Sequence, residues 1–181
     1  MKELSKAYEP KNYEDKIYQK WEESGLFNPD VCVKKDITKP TADYFSMVLP
    51  PPNVTGTLHM GHAAMLAIQD VMARYHRMKG DATLWLPVTD HAGIETQFVF
   101  EKKLAKQDKS RFDFDRQTLY QMIWDYVQEN SGVAVDQMKK IGASADWSRF
   151  KFTLDPDIVS AVIDTFLKLH QDKLIYRGEL L

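Results

Sequence analysis

Three consecutive prolines at positions 50–52 constrain the fold more than any other feature of the sequence. The run 44–49 before them is short and mostly apolar, which predicts a buried β-strand. After a loop that contains Gly56, apolar residues recur at helical spacing over 62–79, and Gly80 is typical of a helix end. A second apolar run, 83–86, predicts another strand. This order indicates two parallel strands joined by a crossover helix.

The rest of the pattern is mainly helical. On the crossover helix, we expect a buried face formed by Met65, Ile68, Met72 and Tyr75. The other predicted helices are 13–27, 93–106, 115–141 with a break near Ser131 and Gly132, and one that starts at Asp155-Pro156.

These elements predict an α/β fold: a Rossmann-like parallel-sheet nucleotide-binding domain with an N-terminal helix and a helical second half. We divide the chain into 1–43, a helix and a linker that lean on the main domain, and 44–181, the first part of that domain.

Composition narrows the function only slightly. The 181 residues carry a net charge of −2. The chain therefore lacks the excess of basic residues that is typical of a segment that binds nucleic acid by itself. The lone Cys32 excludes an internal disulfide, and no Cys/His cluster has zinc spacing. No apolar window is long enough to span a bilayer, and the first residues lack a signal-peptide pattern. We therefore expect a soluble, cytoplasmic protein with no membrane partner.

The segment His59-Met60-Gly61-His62 follows the first predicted strand and opens the helix. Ligands bind at this place in parallel α/β sheets, and a helix N-terminus offers free N–H groups to phosphate. Both histidines can point the same way there, and Gly61 leaves room for a base against the backbone. The alternative is that His59 and His62 only cap the helix.

A second polar segment, 89–91, follows the second strand and faces the same predicted crevice. The ionised carboxylate of Asp90 can bind the α-ammonium of an amino acid there. The alternative is that Asp90 or Thr89 caps the next helix. His91 is equally open to a role at the nucleotide or a structural role in the loop.

The residues around these segments strengthen the functional interpretation. The run 50–62, PPPNVTGTLHMGH, strongly resembles class I aminoacyl-tRNA synthetases, and the valine-specific members among them. The run 85–97, WLPVTDHAGIETQ, is similar to the PGTDHAGIATQ of the same enzymes, and 141–149 resembles their LGASxDWSR segment. Val88 departs from a family glycine, Glu95 from a family alanine, and Phe150 from an acidic residue.

The resemblance assigns roles to particular residues. It implies that His59 and His62 are catalytic, as donors to the phosphoryl oxygens when the valine carboxylate attacks the α-phosphorus of ATP. It implies an ATP-binding set and a valine-binding set. The ATP-binding set is His59, Gly61, His62, Asn53, Thr55 and His91. The valine-binding set is Pro50, Pro51, Asn53 and Asp90. Trp147 and Arg149 are more simply interpreted as a packing side chain and an ion-paired side chain.

The resemblance also implies ligands and partners: ATP with Mg²⁺ as its counter-ion, L-valine, and tRNA(Val) in the full-length enzyme, which we expect to be a monomer. No protein-bound metal or prosthetic group is implied. The family's second ATP motif, KMSK, does not occur, and the sequence stops near the place where the family inserts an editing domain. We therefore expect the N-terminal part of a catalytic domain, with weak or no aminoacylation alone.

Two other classes compete with this interpretation. Nucleotidylyltransferases also use an HxGH segment, but the TDHAG segment argues against them. A free-standing, synthetase-like binding module is the second alternative.

Overall fold

The computed structural model describes residues 7–179, and they form six α-helices and four β-strands. The helices are α1 (Glu14–Ser24), α2 (Pro29–Lys34), α3 (Met60–Lys79), α4 (Ile94–Ala105), α5 (Arg116–Lys140) and α6 (Pro156–Gln171). The strands are β1 (Tyr44–Val48), β2 (Ala82–Leu86), β3 (Val88–Thr89) and β4 (Lys151–Phe152). Three short 3₁₀ turns complete the list, at Pro10–Asn12, Arg111–Asp113 and Trp147–Arg149.

Strands β1 and β2 pair in parallel, from Tyr44 opposite Ala82 to Val48 opposite Leu86. Helix α3 connects them, so the predicted strand–helix–strand unit is confirmed. A second parallel pair joins β3 to β4, with Val88 opposite Lys151 and Thr89 opposite Phe152. The β3–β4 pair places residues near 150 beside the carboxyl ends of β1 and β2.

The buried face of α3 differs from the expected one. Ile68 and Tyr75 are 65% and 62% exposed, whereas Leu66 and Ala73 are buried. Leu66 and Ala73 pack in the core cluster with Trp85. Gln69 lies between Leu66 and Ala73 in the sequence, and its amide oxygen accepts from the Trp85 indole N–H at 3.0 Å. The buried face of α3 thus includes a polar side chain, which apolar periodicity alone does not predict. The prediction of Met65, Ile68, Met72 and Tyr75 as the buried face was therefore wrong, although Met65 is half-buried.

The N-terminal helices pack on the rest of the chain, as expected for the leaning helix. Gly25 ends α1 in the left-handed conformation, at φ 69°. The Tyr18 hydroxyl donates to the Ala143 carbonyl and accepts from the Trp147 indole N–H, both at 2.7 Å. Helix α2 was not predicted from the sequence. It begins with Asn28 as N-cap and Pro29 in its first turn.

Helix α5 runs without the predicted break at Ser131-Gly132. One glycine costs a helix about 1 kcal/mol, which is too little to interrupt 25 residues anchored by buried Val127, Ala134 and Met138. The Ser131 hydroxyl donates to the Gln128 carbonyl and so does not compete with the helix.

Helix α6 begins where predicted, but the Asp155 side chain does not cap it. Its carboxylate accepts instead from the Phe152 N–H, at 2.9 Å, on the preceding strand. Phe166 on α6 is 62% exposed, so its apolar stripe is largely uncovered by the described residues. The apolar residues at 180–181 lie outside the described residues. Within residues 7–179, no helix is long and apolar enough to cross a membrane.

Candidate active site

The amino end of α3 is closed by two histidine side chains that cap it from both directions. His59 is the N-cap, with extended backbone at φ −110°, and its Nδ1 accepts from the Gly61 N–H at 3.1 Å. The His62 Nδ1 accepts in turn from the His59 N–H at 3.2 Å. Their ring centroids lie 3.9 Å apart. The capping role considered as the alternative is therefore present.

These two caps determine where the imidazole protons are. A nitrogen that accepts a hydrogen bond from an N–H group cannot itself carry a proton, so Nδ1 of both neutral rings is the bare nitrogen. The remaining proton is therefore on Nε2 of each ring, and within residues 7–179 neither Nε2 has a hydrogen-bond partner. The capped helix start thus presents two outward N–H donors, which suits phosphoryl oxygens.

The neutral state of His62 is also favoured electrostatically. Burial lowers the pKa of His62 below its usual 6.5, and the neighbouring His59 lowers it further. A neutral imidazole with its proton on Nε2 still donates a hydrogen bond. His62 therefore remains a donor at neutral pH.

Gly61 is required for the cap itself. A Cβ on this residue would lie 2.9 Å from His59 Cε1 and 3.0 Å from His59 Nδ1, closer than side chains tolerate. From the sequence, Gly61 was predicted to leave room for a base against the backbone. The structure adds a reason within the chain, since only glycine lets the His59 ring sit over this N–H.

Beyond the strand ends, Asn53 and Asp90 form a parallel β-bridge. The Asp90 N–H donates to the Pro52 carbonyl at 2.8 Å, and the Val54 N–H donates to the Asp90 carbonyl at 3.0 Å. In a parallel bridge the paired side chains leave on the same face. The structure therefore brings together the two residues predicted to share the amino-acid site.

The Thr153 hydroxyl, just after β4, connects Asp90 to His91. Its oxygen lies 3.0 Å from Asp90 Oδ1, 2.7 Å from His91 Nδ1 and 3.0 Å from the His91 backbone nitrogen. A carboxylate only accepts, so the hydroxyl proton goes to Asp90, and His91 Nδ1 must carry its own proton toward Thr153. His91 Nε2 is then left with a free lone pair.

Thr153 was missed from the sequence because it lies 63 residues from Asp90. Only the β3–β4 pairing brings it there, and no local pattern indicates that pairing. Glu95 was noticed solely as a departure from the family. Its Oε2 accepts from Asn53 Nδ2 at 2.7 Å.

The remaining predicted site residues lie on the same loops. Pro50 and Pro51 are exposed between β1 and the Asn53 bridge, and Thr55 is half-buried in the turn that follows. The alternative capping role of Asp90 and Thr89 is wrong, because the N-cap of α4 is Gly93 and no side chain caps that helix. Among the described residues, no group of three or more His, Cys, Asp or Glu side chains is arranged to hold a metal.

The structural roles expected for Trp147 and Arg149 are confirmed. The Trp147 indole donates to the Tyr18 hydroxyl, and the Arg149 guanidinium forms ion pairs with Asp30 and Asp146. Both residues connect the N-terminal helices to the body.

Comparison with known proteins gives a consistent result. The valine–tRNA ligase of Treponema denticola is 48% identical over 179 residues, which is 99% of this chain and 19% of that protein. The same enzyme of Laribacter hongkongensis is 46% identical over 179 residues, 99% of this chain and 18% of that protein. The valine–tRNA ligase of Neisseria meningitidis serogroup A is 48% identical over 174 residues, which is 96% of this chain and 18% of that protein. The chain thus spans less than a fifth of the length of these relatives.

A solved structure shares the fold. The crystal structure of the ternary complex of Agrobacterium radiobacter K84 agnB2 LeuRS with tRNA and LeuAMS superposes with a TM-score of 0.67 at 21% identity. The match covers 96% of this chain and 20% of that one. A sequence profile described as tRNA synthetases class I (I, L, M and V) matches residues 16–181. The chain therefore belongs to the class I tRNA synthetase family.

Proposed function

We propose that this chain carries the valine and ATP half-site of a valine–tRNA ligase. In the reaction, a carboxylate oxygen of L-valine attacks the α-phosphorus of ATP, pyrophosphate leaves, and valyl-adenylate forms. The valyl group is then transferred to tRNA(Val) by the complete, monomeric enzyme. The observation that carries the proposal is the Asn53–Asp90 bridge beyond the carboxyl ends of two parallel strands, because ligands bind at that edge.

The α-ammonium of valine has three N–H donors, and the chain offers three acceptors for them. Within the described residues, Asp90 Oδ2, Asn53 Oδ1 and the Pro50 carbonyl have no hydrogen-bond donor. The ionised Asp90 supplies the compensating charge, and the hydroxyl of Thr153 holds its other oxygen. The exposed ring of Pro51 supplies an apolar wall to the isopropyl group.

ATP would lie against the start of α3. The Nε2–H groups of His59 and His62 would donate hydrogen bonds to phosphoryl oxygens as negative charge grows on these oxygens. Turning either ring out of its cap would weaken the hydrogen bond that this ring donates. Asn53, Thr55, Gly61 and His91 complete the proposed nucleotide contacts. Mg²⁺ would arrive as the counter-ion of the phosphates and would neutralise part of their charge.

The test is calorimetric titration of the chain with 5′-O-[N-(L-valyl)sulfamoyl]adenosine, a nonhydrolysable valyl-adenylate analogue. We expect weak binding that is lost in the variant His59→Ala/Asp90→Ala. The control His170→Ala/Asp164→Ala removes the same side-chain types from exposed positions on α6 and should bind as the parent does. Binding unchanged by His59→Ala/Asp90→Ala would refute the site. Pyrophosphate exchange should be very slow without the rest of the enzyme.

A further inference from the structure

Glu95 contacts the proposed valine site although no predicted role accounts for it. It lies in the first turn of α4, is exposed, and its Oε2 accepts a hydrogen bond from Asn53 Nδ2 at 2.7 Å. The two residues are 42 positions apart, so the contact depends on the packing of α4 beside the Asn53 turn. The family segment described above has alanine at this position, which could not make this contact.

The contact fixes which way the Asn53 amide faces. An asparagine amide looks nearly the same when turned by 180°, so its orientation must be inferred from its partners. A carboxylate has no proton to give, so the amide NH₂ must face Glu95 and the amide oxygen must face away. Within residues 7–179, that oxygen has no hydrogen-bond partner. Its neighbour across the β-bridge is Asp90, whose Oδ2 is also without a partner.

Both free oxygens are acceptors, whereas a turned amide would offer N–H groups instead. An ammonium ion has only donors, so a turned amide would repel it. Without Glu95, the amide could adopt either orientation, and part of the population would be unable to bind the ammonium.

We propose that Glu95 is a positioning residue that locks the Asn53 amide with its oxygen available to the α-ammonium of the amino-acid substrate. The inference rests on the proposed function, since it concerns the same valine site. Glu95 does not touch the substrate, and the hydrogen bond to Asn53 carries its effect. Glutamine should not replace it, because a glutamine amide can turn to donate to Asn53 Oδ1 and so fixes neither orientation.

The experiment compares Glu95→Ala and Glu95→Gln in the 181-residue chain by calorimetry with two ligands. One is the valyl sulfamoyl-adenosine, and the other is its 3-methylbutanoyl counterpart, which lacks only the α-amino group. Glu101→Ala is the matched control, because Glu101 is a second acidic residue of α4 that pairs with Gln97 and Arg111 and not with Asn53.

We expect Glu95→Ala to bind the valyl compound about tenfold more weakly, because the freed amide would turn its N–H groups toward the Asp90 carboxylate and leave only about a tenth of the population competent to bind. The compound without the amino group should bind Glu95→Ala and the parent equally. Glu101→Ala should stay within about twofold of the parent for both ligands, whereas Glu95→Gln should weaken binding of the valyl compound as Glu95→Ala does. An equal loss for both ligands would indicate a general structural effect and overturn the proposal. Parent-like binding of the valyl compound by Glu95→Gln would overturn it too, since a partner that can also donate would then suffice.

A ligand-free measurement separates this proposal from the proposed function. In ¹⁵N NMR spectra, the Asn53 side-chain NH₂ should have shifted and slowly exchanging resonances that Glu95→Ala returns to ordinary asparagine values. Resonances unchanged by Glu95→Ala would overturn the amide lock whatever the binding results. A parent chain that binds neither ligand would refute the proposed function, and the substrate part of this proposal with it. Binding by the parent without discrimination by Glu95→Ala would refute this proposal alone.

Discussion

Two parts of the candidate active site are assembled in opposite ways. The helix-start site consists of His59, Gly61 and His62, and its hydrogen bonds join residues two or three positions apart. The strand-end site consists of Asn53, Asp90, His91 and Thr153, and its side-chain contacts to Thr153 span 62 or 63 positions. The first is a property of one helix terminus, whereas the second exists only when β3 and β4 are paired. Point substitutions should therefore damage the two sites independently.

The largest effect is expected from Thr153→Val, which breaks the strand-end site and leaves the helix-start site intact. One hydroxyl holds the Asp90 carboxylate, the His91 ring and the His91 N–H, and valine keeps the shape while removing all three contacts. Hydrogen bonds to charged groups contribute about 1.5–3 kcal/mol, so affinity for valyl sulfamoyl-adenosine should fall about thirtyfold. Calorimetric titration measures this loss, and Thr153→Ser should restore most of the affinity. Parent-like binding by Thr153→Val would mean that Asp90 needs no support.

The converse test is Gly61→Ala, which damages the helix-start site alone. The added Cβ would push the His59 ring from its cap and misdirect its Nε2–H, so affinity for Mg·ATP should fall about tenfold, the effect of one charge-assisted hydrogen bond. Stability should hardly change, because losing a cap costs about 1 kcal/mol and replacing a helical glycine by alanine contributes about as much.

Gly132→Ala is the control for Gly61→Ala. Gly132 lies inside α5 and a Cβ there meets nothing within 4 Å. The Gly132→Ala substitution should raise the free energy of unfolding, measured by urea denaturation, by about 1 kcal/mol and should not change the affinity for Mg·ATP. If Gly61→Ala were stabilised to the same extent and bound Mg·ATP normally, the His59 cap would have no role in binding.

The same contrast explains how far sequence reasoning reaches. The helix-start site was predictable, because a cap, a glycine and two histidines within four residues determine their own geometry. The β1–α3–β2 unit was predictable too, from apolar runs bounded by Pro50 and Pro87. Asp90 was placed correctly because it directly follows a strand.

The features that were predicted wrongly or missed depend on tertiary contacts, which the sequence pattern does not show. The buried face of α3 packs against Trp85, whose indole N–H donates to the Gln69 side chain, and nothing in the helix itself favours Leu66 over Ile68. Thr153 joins the site through two-residue strands that are too short to carry a periodicity. Glu95 was visible as an unusual residue, but its partner Asn53 was not.

Thr89→Val sharpens the comparison within the strand-end region itself. Thr89 lies beside Thr153 across the β3–β4 pair, with the Thr153 N–H donating to its carbonyl at 3.1 Å. Its side chain is fully buried, and the hydroxyl has no hydrogen-bond partner within residues 7–179. Burying an unpaired hydroxyl is unfavourable, so valine should raise the free energy of unfolding by about 1 kcal/mol and leave ligand affinity unchanged. The same substitution on adjacent strands should thus stabilise at position 89 and weaken binding at position 153. A destabilised Thr89→Val variant would reveal a hydrogen bond to that hydroxyl.

The smallest effect concerns the pH dependence of the helix-start site. The pKa of His62 is lower in the folded chain than its usual 6.5, so the unfolded chain takes up a proton first as the pH falls. The stability that neutral His62 contributes is therefore complete above about pH 6.5 and is lost as the pH falls through the folded-state pKa. His62→Gln, which cannot be protonated, should lose less stability than the parent between pH 7.5 and 5.5, in urea denaturation at each pH. His170→Gln, changed at an exposed position on α6, should follow the parent. Parallel plots of unfolding free energy against pH for His62→Gln and the parent would contradict this prediction. They would mean that protonated His62 still fits the helix cap, so the cap would not require a bare Nδ1 and a proton on Nε2 alone.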